Sequence, residues 1–359
     1  MYQDSQLVLK KDVPTGRAAW RSPSNIALVK YWGKHGNQLP KNPSVSLTLS
    51  ESYSETSVSY RPRSAADAGA FSFLFDAKEE PAFADRIGKY LTELQPIFPF
   101  LDQLHLDIRS RNSFPHSSGI ASSASAFSAL ALCLCSMEHQ CFNTLDDDKA
   151  FRKKASYVAR LGSGSASRSI FATAALWGQY GEEPESSDEF AIGVKDQLHE
   201  TFQSYGNAIL LVDSGSKSVS SSAGHRLMED HVFAQVRYSE ARKNLLQLMQ
   251  ALHSGDTERA GLLIEVEAMQ LHAMMMASRP YVILLAPNTL KIIHLIQEFR
   301  KSTKLPVYFT IDAGPNLHLL YPQENRSDVV AFIEDVLVQY CLRGSWIDDR
   351  VGNGPVQID

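Results

Sequence analysis

Polar and apolar residues alternate over Ser44–Leu49 and, more loosely, over Thr56–Tyr60, the period-two pattern of two antiparallel strands. Arg17–Trp20 is strand-like, and Ser22-Pro23-Ser24-Asn25 reads as a turn into the apolar run Ile26–Val29. Phe71–Phe75 is a further strand, and Leu104–Ile108 alternates again. Helical periodicity covers Ala82–Leu94, Ala126–Cys135 and Asp146–Leu161, the last with an acidic first turn that suits the helix dipole. Beyond the apolar strand Ala208–Asp213, His225–Ala277 reads as two or three helices. Thr289–Lys301 is an amphipathic helix, Pro306–Ile311 and Leu317–Tyr321 are strands about a tight turn, and Asp328–Leu342 is the last helix. Helix, strand, turn, strand, helix predicts an α+β sandwich. Gly344–Asp359 is polar and reads as a tail.

A chain of 359 residues is longer than one core usually supports. We expect an α+β protein of two domains, 1–205 and 206–343, followed by the tail 344–359. Apolar residues at 44% and charged residues at 21% describe an ordinary globular protein. A net charge of −5 provides no global basic field, which argues against nucleic acid as a partner, so an anionic substrate must be drawn by local Lys and Arg. No apolar run reaches membrane-spanning length, and Met1–Lys11 has no signal-peptide core; we expect a cytoplasmic protein without a membrane partner. Cys133, Cys135, Cys141 and Cys341 lack zinc-ligand spacing and read as reduced thiols.

Chemistry concentrates in a few stretches. Asn112–Phe127 sets Gly119 among Ser117, Ser118, Ser122 and Ser123, directly before an apolar helix. Strand, small-residue loop, helix is the context in which backbone N–H groups and the helix dipole receive a phosphate, although a plain capped helix has the same composition. Lys30 and Lys34, with Tyr31 and Trp32 between them, either converge on one anion or snorkel from a surface turn. Gly162–Ser169 is a second small-residue loop carrying one arginine, Arg168, suited to two-pronged contact with phosphate or carboxylate, or else simply exposed. A third Ser/Gly tract, Ser214–Gly224, carries Lys217 and is either a loop over substrate or a linker. Asp312 closes a strand in Asp-Ala-Gly-Pro, a sequence that also makes ordinary turns.

Asn25–Lys34 (NIALVKYWGK), Asn112–Ala124, Gly162–Ser169 and Thr310–Asn316 occur in the order and spacing of the mevalonate diphosphate decarboxylases. The chain resembles that family of the GHMP small-molecule kinase superfamily from about Ala18 to Tyr321. The first motif and Asp-Ala-Gly-Pro-Asn are specific to the decarboxylase branch, whereas the Ser-rich loop is shared more widely. The resemblance implies a GHMP-kinase fold: an N-terminal ribosomal-S5-domain-2-like domain with a mixed sheet, and a C-terminal ferredoxin-like α/β sandwich. The site would lie in the cleft between them. It also implies a homodimer.

The implied activity is phosphorylation of the tertiary 3-hydroxyl of mevalonate 5-diphosphate by Mg-ATP, then loss of phosphate and CO2 to give isopentenyl diphosphate. By resemblance, Asp312 would act as or orient the general base, and Lys30 would pair with it and keep it ionised. Ser117, Ser118, Gly119, Ser122 and Ser123 would lie on the ATP phosphates, with Ser123 nearest Mg2+. Tyr31, Lys34, Ser165 and Arg168 would hold the substrate's diphosphate and carboxylate, and Lys217 would belong to a loop closing over the nucleotide. Three departures stand out. Phe114–Ile120 reads FPHSSGI where the family usually has FPTAAGL, which introduces His116 beside the nucleotide loop. Ser167 precedes Arg168 where some members have Cys, and Ser222 stands where bacterial relatives often carry Arg. The last change leaves open a monophosphate substrate on the same fold. A mevalonate-type 3-kinase is disfavoured by the presence of both Lys30 and Asp312, and a non-catalytic nucleotide-binding relative by the intact motifs.

Overall fold

The turn expected at Ser22–Asn25 is instead part of one twelve-residue strand, β1 (Gly16–Ala27). Pro23 fits there because the pairing register shifts between Pro23 and Asn25, a bulge that asks for no ladder N–H. A short hairpin follows, β2 (Lys34–His35) with β3 (Leu39–Pro40). The two strands expected at 44–49 and 56–60 are likewise one, β4 (Ser44–Pro62). Alternation fails between them because residues 49–52 bulge away from β1. The freed N–H groups of Ser50, Glu51 and Ser52 donate to the Asp349 carboxylate at 2.8–2.9 Å. The chain continues through β5 (Phe71–Phe75), α1 (Pro81–Leu94), β6 (Leu104–Asn112), α2 (Ser122–Phe142), α3 (Asp148–Gly162), β7 (Ala174–Trp177) and β8 (Ala191–Gly193).

This computed structural model describes residues 1–10, 13–67, 69–115, 120–213 and 221–358, and backbone alone at 221 and 222. In the first sheet, β1, β4, β6 and β5 lie side by side, and β7 and β8 extend it from the start of β4. Only β5 and β6 run parallel, so the sheet is mixed as expected. The helix α2 packs on β1 and β4 and is buried nearly all round, as its continuous apolar run requires. Val58, Leu106 and Ile108 from the sheet meet Leu130, Leu134 and Val158 from α2 and α3 in one core.

The second half contains α4 (Glu200–Gln203), β9 (Gly206–Leu210), α5 (Ser221–Arg226), α6 (Ala234–Ser254), α7 (Thr257–Met276), α8 (Pro287–Thr303), β10 (Tyr308–Ile311), β11 (Leu317–Tyr321), α9 (Arg326–Phe332) and β12 (Trp346–Arg350). Its sheet has the order β10-β11-β9-β12 and is antiparallel throughout, the β-α-β-β-α-β arrangement of a ferredoxin-like sandwich. The expected helix Asp328–Leu342 breaks up: α9 widens to a π turn at Ile333–Leu337 and tightens at Val338–Tyr340. No helix among the described residues is long and apolar enough to cross a membrane.

The segment expected to be a polar tail is structural. Trp346–Arg350 is the fourth strand of the second sheet, and β13 (Val356–Gln357) pairs with β1 in the first. Its polarity reflects edge positions and the work of Asp349, whose buried carboxylate caps the β4 bulge. The two halves also share apolar packing, with Ile26, Leu28 and Val45 in one cluster with Ile209, Leu245 and Leu320. Asp349→Ala strands three backbone donors and is expected to cost about 2–4 kcal/mol. A urea midpoint equal to wild type would contradict this account of the bulge.

Candidate active site

Lys30 follows the buried run Ile26–Val29 and is itself 1% exposed. The N–H groups of Leu28 and Val29 both donate to the Val45 carbonyl, Asn42 Nδ2 donates to the Lys30 carbonyl at 3.1 Å, and the Lys30 N–H donates to Glu267 at 3.0 Å. The backbone is therefore held on both sides, and the side chain has one direction to go. Its Nζ lies 2.8 Å from Asp312 Oδ1. Asp312 follows β10 and opens a turn in which the Gly314 N–H donates to the Asp312 carbonyl. Thr289 Oγ1 donates to the Pro315 carbonyl, and Asn316 Oδ1 accepts from the N–H groups of Val212 and Asp213. The Asp-Ala-Gly-Pro-Asn sequence is thus a turn pinned to two other elements. That pinning places an acid from one half of the chain against an amine from the other.

Burial pushes the Lys30 ammonium below its usual range, with Asp312 and Glu267 opposing the shift and Arg168 adding to it. Arg168, 2% exposed, follows α3 in a 3-10 turn. Its Nη1 donates to Ser44 Oγ at 2.7 Å, and its Nε to Ser46 Oγ and Asn25 Oδ1 at 3.1 and 3.2 Å. Among the described residues no carboxylate lies within ion-pair distance of it, and burial lowers its pKa to about 10. A guanidinium held by neutral oxygens keeps its charge for something else. Gly164 allows the approach of this turn, because a Cβ there would stand 2.7 Å from Trp177 and 3.0 Å from Tyr31.

These residues face one cleft of roughly 1200 Å³, open to solvent. It is lined by Lys30, Tyr31, Lys34, Arg86, Ser122, Ser123, Ser165, Arg168, His225 and Asp312 among others. Among the described residues the Tyr31 hydroxyl, which is buried, has no hydrogen-bond partner, and burial raises its pKa, so it stands as a protonated donor. Lys34 donates to Gln38 at 3.0 Å, and its pKa is lowered by burial and by Arg226 and Arg86. The ring of His225 lies 4.4 Å from Tyr31 and 4.7 Å from Trp32. Its Nδ1 accepts the Gly33 N–H at 3.0 Å, and burial holds its pKa at about 3, so the ring is neutral with its proton on Nε2. Lys30, Lys34, Arg86 and Arg168 thus set four cations against one carboxylate, which is the electrostatics of an anion site.

At the start of α2, Ala121 takes a left-handed φ of 47° and supplies no side-chain cap. Such a conformation is costly for alanine and is found at ligand-holding turns. Ser123 Oγ lies 3.3 Å from Ser163 Oγ, which in turn is 3.4 Å from Ser165 Oγ, so hydroxyls from two loops line one wall. Beside this wall opens an apolar cavity of about 650 Å³ lined by Phe73, Phe75, Phe83 and Phe127, sharing Arg86, Ser122 and Ser123 with the cleft. His116, Ser117, Ser118, Gly119 and Lys217 lie outside the described residues, as does the side chain of Ser222. Lys30, Tyr31, Lys34, Ser122, Ser123, Ser165, Arg168 and Asp312, expected to share a site, all line the one cleft.

Ser163, from the Gly162–Ser169 loop, also lines it, as do Arg86, Gln38 and His225, which carry no motif. Arg86 was detectable only as part of a helical face, since Phe83, Arg86 and Ile87 are spaced to share one. Its guanidinium stacks 4.6 Å from the Phe127 ring. Among the described residues no group of three His, Cys, Asp or Glu is placed to hold a metal.

Residues 22–191 match the model of the diphosphomevalonate decarboxylase-like N-terminal domain, and residues 207–348 that of the mevalonate 5-diphosphate decarboxylase C-terminal domain. The diphosphomevalonate decarboxylase of Debaryomyces hansenii is 31% identical over 328 residues, covering 87% of this chain and 81% of the relative. A solved structure of MDDEF in complex with MVAPP, AMPPCP and magnesium superposes with a TM-score of 0.81 at 27% identity, covering 96% of this chain and 100% of the other. The mevalonate diphosphate decarboxylase of Staphylococcus aureus superposes with a TM-score of 0.80 at 28% identity, over 98% and 100% of the two chains.

The excess of cations has a direct consequence. Saturating inorganic diphosphate is expected to stabilise the protein by about 2–3 kcal/mol, read as a rise in Tm of several degrees. Arg168→Met should lose most of that rise; an equal rise in the variant would mean the anion binds elsewhere.

Proposed function

The chain belongs to the diphosphomevalonate decarboxylase family, and we propose that Asp312 and Lys30 are the groups with which it carries out that family's reaction. The activity is ATP-dependent decarboxylation of mevalonate 5-diphosphate. The observation that carries the assignment of residues is the 2.8 Å contact between Lys30 and Asp312 at the cleft wall. In this reading Asp312 accepts the proton of the 3-hydroxyl as that oxygen takes up the terminal phosphoryl group of the nucleotide. A tertiary alcohol is a weak nucleophile, so a carboxylate at its proton is useful. Lys30 fixes the carboxylate and offsets its charge. The C3–O bond then breaks and phosphate leaves with the bonding pair. The C1–C2 pair becomes the C2–C3 double bond as CO2 departs, so no electron-sink cofactor is needed. Phosphate oxygens enclosing the site stabilise the cationic character at C3.

Arg168, Tyr31, Lys34 and Ser165 would hold the substrate's diphosphate and carboxylate. Arg168 suits this because its guanidinium is oriented by the neutral oxygens of Ser44, Ser46 and Asn25. Ser122 and Ser123, at the start of α2, fit nucleotide phosphates with support from the helix dipole. The adjoining phenylalanine-lined cavity fits the flat base, with Arg86 between base and phosphates. Magnesium supplies charge neutralisation on the phosphates, and the chain's contribution to it would be the Ser123 hydroxyl, in keeping with an ion held chiefly by phosphate oxygens and water. The family resemblance extends the proposal to ATP as the nucleotide, a homodimer and a cytoplasmic location.

A coupled assay offering mevalonate, its 5-phosphate and its 5-diphosphate with Mg-ATP, measuring ADP and CO2 separately, tests the function. CO2 from the diphosphate alone supports it; ADP without CO2, or CO2 only from the monophosphate, would replace it. Asp312→Asn is expected to lower turnover about 10²–10⁴-fold with the nucleotide Kd unchanged; near wild-type turnover would remove the proposed base. Arg168→Ala is expected to raise the substrate KM about tenfold or more and leave the ATP KM alone. Equal effects on both would assign Arg168 to neither ligand in particular.

A further inference from the structure

Lys30 is gripped from the second half of the chain by a residue that does not line the cleft. Glu267 on α7 is completely buried. Its Oε2 accepts the Lys30 main-chain N–H at 3.0 Å and Arg237 Nη2 at 2.6 Å. Its Oε1 accepts Arg237 Nη1 at 3.0 Å and Asn244 Nδ2 at 2.7 Å. Four donors saturate the carboxylate. Arg237, also buried, pairs with that carboxylate, and Arg237 and Asn244 both reach it from α6. The bond to Lys30 crosses 237 positions of sequence to the residue whose ammonium holds Asp312.

We propose that Glu267 is a positioning residue for the reaction: it fixes the backbone of Lys30 from α7, and its charge favours the ammonium form of the side chain that orients Asp312. This rests on the roles of Lys30 and Asp312 given above. The charged and titratable groups around Lys30 are Asp312, Glu267, Arg168, His272 and His318. Burial holds both histidines neutral at ordinary pH, with pKa values of about 4. Arg168 and burial oppose the ammonium, whereas Asp312 and Glu267 sustain it. Removing the Glu267 charge must therefore let Lys30 lose its proton at lower pH. Lys34, the other depressed lysine of the cleft, is influenced by Arg226, Arg86 and Glu229 rather than by Glu267, so a shift caused at Glu267 reports Lys30.

The test is the pH profile of kcat at saturating substrates. In Glu267→Gln we expect the alkaline limb to move down by about one pH unit, with a lower kcat at the optimum and both KM values unchanged. That variant leaves Arg237 buried without its partner; should it not fold, the charge-keeping variant decides through kcat. Glu267→Asp keeps the charge but withdraws the carboxylate from the Lys30 N–H. It should retain the wild-type limb while kcat falls severalfold. An unmoved limb in Glu267→Gln, or wild-type kcat in Glu267→Asp, would overturn the proposal. Wild-type turnover is the control: its absence overturns the assigned function, whereas wild-type turnover with an unmoved limb in Glu267→Gln overturns only the role of Glu267.

Discussion

A single ion pair, Lys30 with Asp312, joins residues 282 positions apart in the chain, one from each half of the molecule. Neither partner is comfortable without the other. The ammonium is almost wholly buried, and an unpaired charge in that position would cost several kcal/mol. Much of the surrounding structure secures this contact. Asn42 and Glu267 hold the Lys30 backbone from either side, and Asn316 and the Pro315 carbonyl tie down the turn that carries Asp312. The shared apolar cluster of Ile26, Leu28, Ile209 and Leu245 brings the two sheets to the distance at which the pair forms. A contact assembled in this way depends on how the halves of the chain pack together.

The second constraint is charge. The chain is net negative, yet its cleft gathers four cations around one carboxylate. Serine and asparagine oxygens orient Arg168, where an acidic partner would have consumed its charge. Tyr31 adds a buried hydroxyl with no partner among the described residues. These are groups whose own folding stability would improve with an anion present. In the proposed reaction, binding and catalysis draw on the same arrangement, because phosphate chemistry needs positioned positive charge more than covalent help.

The motifs were legible in the sequence because they are local. The Asn25–Lys34 stretch, the loop before α2, the Arg168 turn and the Asp312 turn each announce themselves by residue type, and each contributes residues to one cleft. Strand interruptions were misread for a physical reason. Pro23 and the polar run at 50–52 look like breaks, but bulges absorb them, and Asp349 from nearly 300 positions later satisfies the exposed donors. For the same reason residues 344–359 looked like a tail: a single edge strand of five residues carries little alternation. Arg86 and Glu267 were invisible because their importance lies in what the fold sets beside them. An arginine in an amphipathic helix, or a glutamate in a mixed one, has no distinguishing local pattern.

The most direct measurement is a crystal structure of the complex with mevalonate 5-diphosphate and a non-hydrolysable ATP analogue. The account expects an Asp312 carboxylate oxygen about 2.6–3.2 Å from the substrate's 3-hydroxyl, with Lys30 still bonded to that carboxylate. A complex closed on both ligands in which the 3-hydroxyl points away from Asp312, or in which Lys30 has left it, would contradict the account.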